Sequence, residues 1–108
     1  MAEVKSAVST TIPYKLVDGK VVHLRLAWAN LKLLKTKKPE LYEEFNRIFT
    51  KGAEDVFDYM RIIYTAYVCN NIDDCDSLMS NSAFVELIPE NLSDMMLVAT
   101  NLIKPSKK

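Results

Sequence analysis

One histidine, two cysteines, a knot of aspartates and a Thr-Lys-Gly run are the residues of this chain best placed to do chemistry. His23 sits in VVHLRL, with no Ser, Cys or carboxylate beside it in sequence. A general base normally needs an orienting partner, and nothing singles one out. Cys69 and Cys75 lack His, Cys or carboxylate partners at zinc-ligand spacing, so both read as structural thiols. Asp73, Asp74 and Asp76 form the densest acidic cluster. A calcium loop wants a central glycine and a terminal glutamate; the glycine is missing and Glu86 is misplaced, which leaves a solvated loop.

Thr50-Lys51-Gly52 admits two readings. A phosphate cradle needs backbone N–H groups at a helix N-terminus, usually with several glycines. Here a single glycine follows a periodic apolar segment, and Glu54 and Asp55 come next to repel an anion. Gly52 in a left-handed conformation would instead end a helix, with Lys51 complementing its negative end. Lys32, Lys35, Lys37 and Lys38, with Arg25 and Trp28 nearby, make the densest positive cluster, the basis for an alternative reading as a small nucleic-acid-binding regulatory protein. Glu40, Glu43 and Glu44 follow at once, and a solvated helix face is the blander interpretation. No P-loop, dinucleotide fingerprint or nucleophile elbow occurs.

The totals agree with the scarcity of chemistry. The chain has 108 residues, with 14 basic and 14 acidic side chains and a formal net charge of zero. General nucleic-acid binding wants a basic excess to displace counterions, so the balance argues against it. Charge interrupts every apolar cluster far short of the ~20 residues that span a bilayer. The opening MAEVKSAVSTT has no long apolar run, so a cytosolic chain with free thiols is expected.

The elements that would position these residues follow from periodicity. Residues 1–10 read as a loose arm. Asp18-Gly19 between two β-rich runs signals a hairpin. A three-residue loop, Val17-Asp18-Gly19, sets Tyr14 opposite Val22 and Ile12 opposite Leu24. That register collects Ile12, Tyr14, Leu16, Val22, Leu24 and Leu26 on one face, and Lys15, His23 and Arg25 on the other. Helices should cover the apolar face. Trp28, Leu31 and Leu34, widened by Leu33, predict the first; Pro39 opens a second through Leu41, Tyr42, Phe45, Ile48 and Phe49. The third and longest spans about Ala53 to Asn70, with one row through Val56, Met60, Ile63 and Tyr67 and another through Phe57, Tyr64 and Val68, wide enough for a central helix. Asn70 to Ser80 reads as a polar connection. Ser80 or Ser82 caps a short helix ended by Pro89, and a last helix runs from near Asn91 or Ser93 to Ile103, leaving a basic tail over 105–108.

The expected fold is therefore α+β: a mostly helical small domain, residues 11–104, with an N-terminal β-hairpin packed on four or five helices. Leu24, Leu31, Phe45, Met60, Ile63, Tyr64 and Leu97 are expected to be well buried. The methionines and tyrosines read first as core packing; as an adaptable apolar surface suited to a binder of apolar segments, Tyr59, Tyr67, Met79, Met95 and Met96 are the candidate partner-binding residues.

The order of features carries a resemblance. A hairpin with a DG turn leads into a lysine-rich helix and LYEEFNRIFTKG; RIIYTAYVCNN and MSNSAFVELIPEN follow. Over roughly Thr11 to Ile103 the chain resembles the small tail assembly chaperones of long-tailed, siphovirus-type bacteriophages of Gram-positive bacteria. The resemblance implies a non-enzymatic protein, without cofactor or metal, that coats the tape-measure protein and helps recruit tail tube subunits. It implies action in the host bacterial cytoplasm and absence from the mature virion. The chain would correspond to a short form, with a frameshifted longer form of itself as a further partner, and homo-oligomers are compatible with its zero net charge. No catalytic or ligand residue is carried over.

Overall fold

The computed structural model describes residues 11–103. The arm expected over 1–10 and the tail expected over 105–108 lie outside the described residues. Two strands open the fold, β1 (Ile12–Lys15) and β2 (Val21–Leu24). Five α-helices follow: α1 (Trp28–Lys37), α2 (Pro39–Lys51), α3 (Val56–Asn70), α4 (Asn81–Leu87) and α5 (Leu92–Ile103). A 3-10 turn, Ile72–Ser77, joins α3 to α4. The architecture is a small α+β domain, as expected.

The hairpin has the three-residue loop. Ile12 pairs with Leu24 and Tyr14 with Val22 across an antiparallel ladder. Leu16 N–H donates to the Lys20 carbonyl at 2.8 Å, and Gly19, at φ +92°, supplies the conformation the loop requires. Tyr14, Leu16, Val22 and Leu24 are buried, while Lys15 and His23 face outward. The loop is fastened to the helical layer by Val17 N–H donating to the Leu87 carbonyl at 2.9 Å.

Helix α3 is the hub, packing against β2, the four other helices and the 3-10 turn. Ile62, Ile63, Thr65, Ala66, Tyr67, Val68 and Cys69 are all buried, so most of its second half is enclosed, with Tyr64 half-buried. The Thr65 hydroxyl satisfies itself by donating to the Arg61 carbonyl at 2.7 Å. The carbonyls at the C-terminal end of α3 find side-chain donors: Asn30 Nδ2 on Cys69 at 2.8 Å and Asn71 Nδ2 on Tyr67 at 2.9 Å. Tyr67 stacks on Phe84 of α4 with ring centroids 4.9 Å apart, and Tyr64 tilts against the same ring at 5.5 Å.

One boundary, one connection and the conformation of one cap differ from expectation, while Gly52 ends its helix as expected. Helix α3 starts at Val56 rather than Ala53, because Asp55 is its N-cap and accepts from the N–H groups of Phe57 and Asp58. The polar connection contains a 3-10 helix, whose three-residue repeat turns Ile72 and Cys75 inward and leaves Asp73, Asp74 and Asp76 exposed. Gly52 ends α2 with its N–H donating to the Ile48 carbonyl at 2.7 Å, at φ +94° and ψ +158°. That is a positive-φ cap outside the left-handed helical well, in a region only glycine occupies readily.

Of the expected core, Leu24, Leu31, Phe45 and Ile63 are buried, and Met60 and Tyr64 are half-buried. Leu97, expected in the core, is instead 59% exposed. The inward residues of α5 are Met95 and Ala99; Leu97 lies about 200° around the helix from Met95, on the solvent side. Trp28, Phe49 and Phe57, assigned to inward stripes from their spacing, are 76%, 48% and 60% exposed.

Candidate functional site

The residues first suspected of chemistry are dispersed. His23 is exposed on the outer side of β2, opposite Pro13. Cys69 and Cys75 are free and buried. Burial pushes the Cys69 thiol up to about 12, so it is protonated at neutral pH. Asp76 forms an ion pair with Lys38 at 3.1 Å. No cluster of three or more His, Cys, Asp or Glu able to hold a metal occurs among the described residues, and none of their helices is long and apolar enough to cross a membrane.

The five candidate partner-binding residues separate into two groups. Tyr67 and Met95 are buried at 7% and 2% exposure, one in the aromatic cluster and the other beneath α5. A partner docking on the folded domain reaches neither side chain. Tyr59, Met79 and Met96 are half-buried against the core, and Met79 also accepts the Tyr64 hydroxyl through its carbonyl at 2.9 Å. None of these five lines the concavity that α1, α2 and α5 form.

That concavity is a groove of about 850 Å³ bounded by the β2–α1 connection, α1, α2 and the end of α5. Its size falls within the roughly 300–1,000 Å³ typical of binding clefts. Leu31, Phe45, Leu102 and Ile103 make an apolar floor. Trp28 and Phe49 stand at its sides, largely in solvent. Trp28 is the first residue of α1, and Phe49 lies in the last turn of α2.

The charges around this groove share one sign. Arg25, Lys32 and Lys35 line it, and no Asp or Glu does so among the described residues. Lys35 Nζ lies over the Tyr42 ring, 5.7 Å from its centroid. Phe49 stacks on Phe45 with centroids 5.9 Å apart. Of the groove's aromatic rings, Trp28 is the most open to a visitor. A second hollow, of about 740 Å³ beside Pro39, is lined by both signs of charge. Its carboxylate Glu44 already lies 3.7 Å from Arg47 and 3.8 Å from Arg61. The first groove therefore has the stronger claim to bind something from outside the chain.

Sequence spacing named Arg25, Trp28, Lys32 and Lys35 as a cluster but gave Trp28 to the core. The missing signal was tertiary: Leu102 and Ile103 complete the groove from the far end of the chain. No family model, curated protein or solved structure matches this chain.

Proposed function

We propose that this protein is a non-enzymatic tail assembly chaperone of a long-tailed bacteriophage, binding the tape-measure protein while the tail tube assembles around it. The observation that carries the reading is the exposed apolar groove beside Trp28 and Phe49. A chaperone for a long, partly hydrophobic protein needs an open apolar surface on a stable scaffold, and contiguous exposed apolar patches mark interaction sites. The hairpin, lysine-rich helix and LYEEFNRIFTKG segment supply the family resemblance. Tail tube protein and a frameshifted longer form of the same chain are the further partners in this reading, and the host cytoplasm is its place of action.

Small nucleic-acid regulators are the second reading, supported by Arg25, Lys32 and Lys35 around Trp28. Zero net charge weakens it. Co-expression with the tape-measure protein encoded beside it, followed by affinity capture, tests the primary reading. Stoichiometric co-purification is expected; no association by this chain or by a longer form of it would overturn the assignment.

A further inference from the structure

We infer that the groove beside Trp28 takes an amphipathic helical segment whose apolar stripe is flanked by carboxylates. The inference rests on the chaperone reading for the identity of the partner, and adds which chemistry within that partner is recognised and where.

The helical form follows from backbone accounting. Most of the groove is walled by α1, α2 and α5, whose N–H and C=O groups are largely engaged in their own turns. An extended peptide lying there would bury polar backbone groups with few partners. A helix satisfies its own backbone and offers side chains at i, i+3, i+4 and i+7 to an apolar floor. Leu31, Phe45, Leu102 and Ile103 provide that floor.

The carboxylates follow from charge complementarity. Arg25, Lys32 and Lys35 surround the floor without a carboxylate among the lining residues. Basic flanks on the visiting helix would place like charges face to face, whereas Asp or Glu flanks meet opposite charge and speed encounter. Nucleic acid is disfavoured by the aromatic faces. Binding of single strands relies on rings open for base stacking. Here Tyr42 lies beneath Lys35 and Phe49 is against Phe45, which leaves Trp28 as the one open ring, and the net charge is zero.

Trp28 is the only tryptophan in the chain, so its fluorescence reports on this groove directly. The full chain is titrated with a helical peptide carrying a Leu/Phe stripe flanked by Glu, with the same peptide flanked by Lys, and with a single-stranded oligonucleotide. The Glu peptide is expected to shift Trp28 emission to the blue and to bind about tenfold or more tightly than the Lys peptide, with affinity falling as salt rises. The K32E/K35E double variant should reverse the preference, and Phe49→Asp should abolish binding while circular dichroism stays unchanged. Equal binding of both peptides, binding by neither, or tighter binding of the oligonucleotide overturns the inference. Capture of the tape-measure protein separates it from the chaperone reading. If Phe49→Asp and wild type capture it equally, the groove assignment falls and the function stands. If peptides bind as expected but tape-measure protein is not captured, the groove assignment stands and the partner falls.

Discussion

Arg47 Nη2 and Asp58 Oδ1 stand 3.0 Å apart across the corner between α2 and α3. Asp58 is almost fully buried, and its other oxygen accepts the Glu54 backbone N–H at 2.8 Å. One carboxylate thus closes the N-terminal turn of α3 and fastens α2 to it, in a relative of the capping box. The pair also explains why the LYEEFNRIFTKG segment is architectural: Arg47 reaches forward while Gly52 lets the chain turn back.

Asp58→Asn should destabilise the domain by about 1–3 kcal/mol at neutral pH, measured by urea denaturation. The Glu54 N–H and then the Arg47 guanidinium hold the Asp58 carboxyl below its ordinary range. A depressed folded-state pKa stabilises above the unfolded carboxylate value of about 4 and is lost as pH falls through the folded value. The gap between wild type and Asp58→Asn should therefore narrow on acidification below about pH 4. A gap independent of pH would refute the role given to the charge.

Gly52→Val should cost about 1–3 kcal/mol, because φ +94° with ψ +158° is strained for any residue with a Cβ. A Cβ there meets nothing within 4 Å, so the cost lies in the backbone alone. Gly52→Ala should then lose a similar amount, and a neutral alanine variant would remove the cap from the account of the corner.

Phe84→Ala should be among the most damaging single changes, at about 3–5 kcal/mol. Its ring is fully buried and packs on both Tyr64 and Tyr67, so truncation leaves a cavity under α4. Leu97→Ala, at an exposed site, should alter thermal stability by no more than about 0.5 kcal/mol. Similar losses for the two would contradict the packing of α3 against α4.

Cys69 should resist thiol reagents in the folded protein and react promptly in denaturant. Its thiol is buried and held protonated, with a pKa of about 12. Modification of Cys69 under native conditions on the timescale of a free thiol would show that α3 opens far more readily than its enclosure implies.

The hairpin was legible to the register because two constraints coincided: a period of two along each strand and a DG turn that accepts positive φ. Pro39 and Ser80 likewise mark helix starts through local chemistry, and the Ser80 hydroxyl accepts the Ala83 N–H at 3.2 Å. Helix α3 was harder. Its stripe is so wide that periodicity fades, and Ile62, Ala66 and Cys69, all fully buried, fall outside both rows that spacing picks out. The groove was least legible. Spacing shows which residues share a side of a helix, yet not whether another element covers that side. The stripes through Trp28 and Phe49 are helically spaced, yet both rings stay exposed. Methionine and tyrosine content pointed instead to Tyr67 and Met95, where adaptable side chains fill the interior.

Lys38 alone separates α1 from α2, its N–H donating to the Leu34 carbonyl at 2.7 Å and its carbonyl accepting the Tyr42 N–H at 3.0 Å. Such a joint has no slack to absorb a change in chain length. One residue inserted before Pro39 and taken up helically would swing α2 by about 100° and carry Phe49 away from Trp28. Elsewhere, the 3-10 turn presents exposed aspartates where extra residues could bulge outward. Drift in chain length among descendants of this sequence should gather after the buried Cys75, at Asp76–Ser77, and spare the Lys37–Pro39 joint, which fixes the spacing of the two helix walls of the groove.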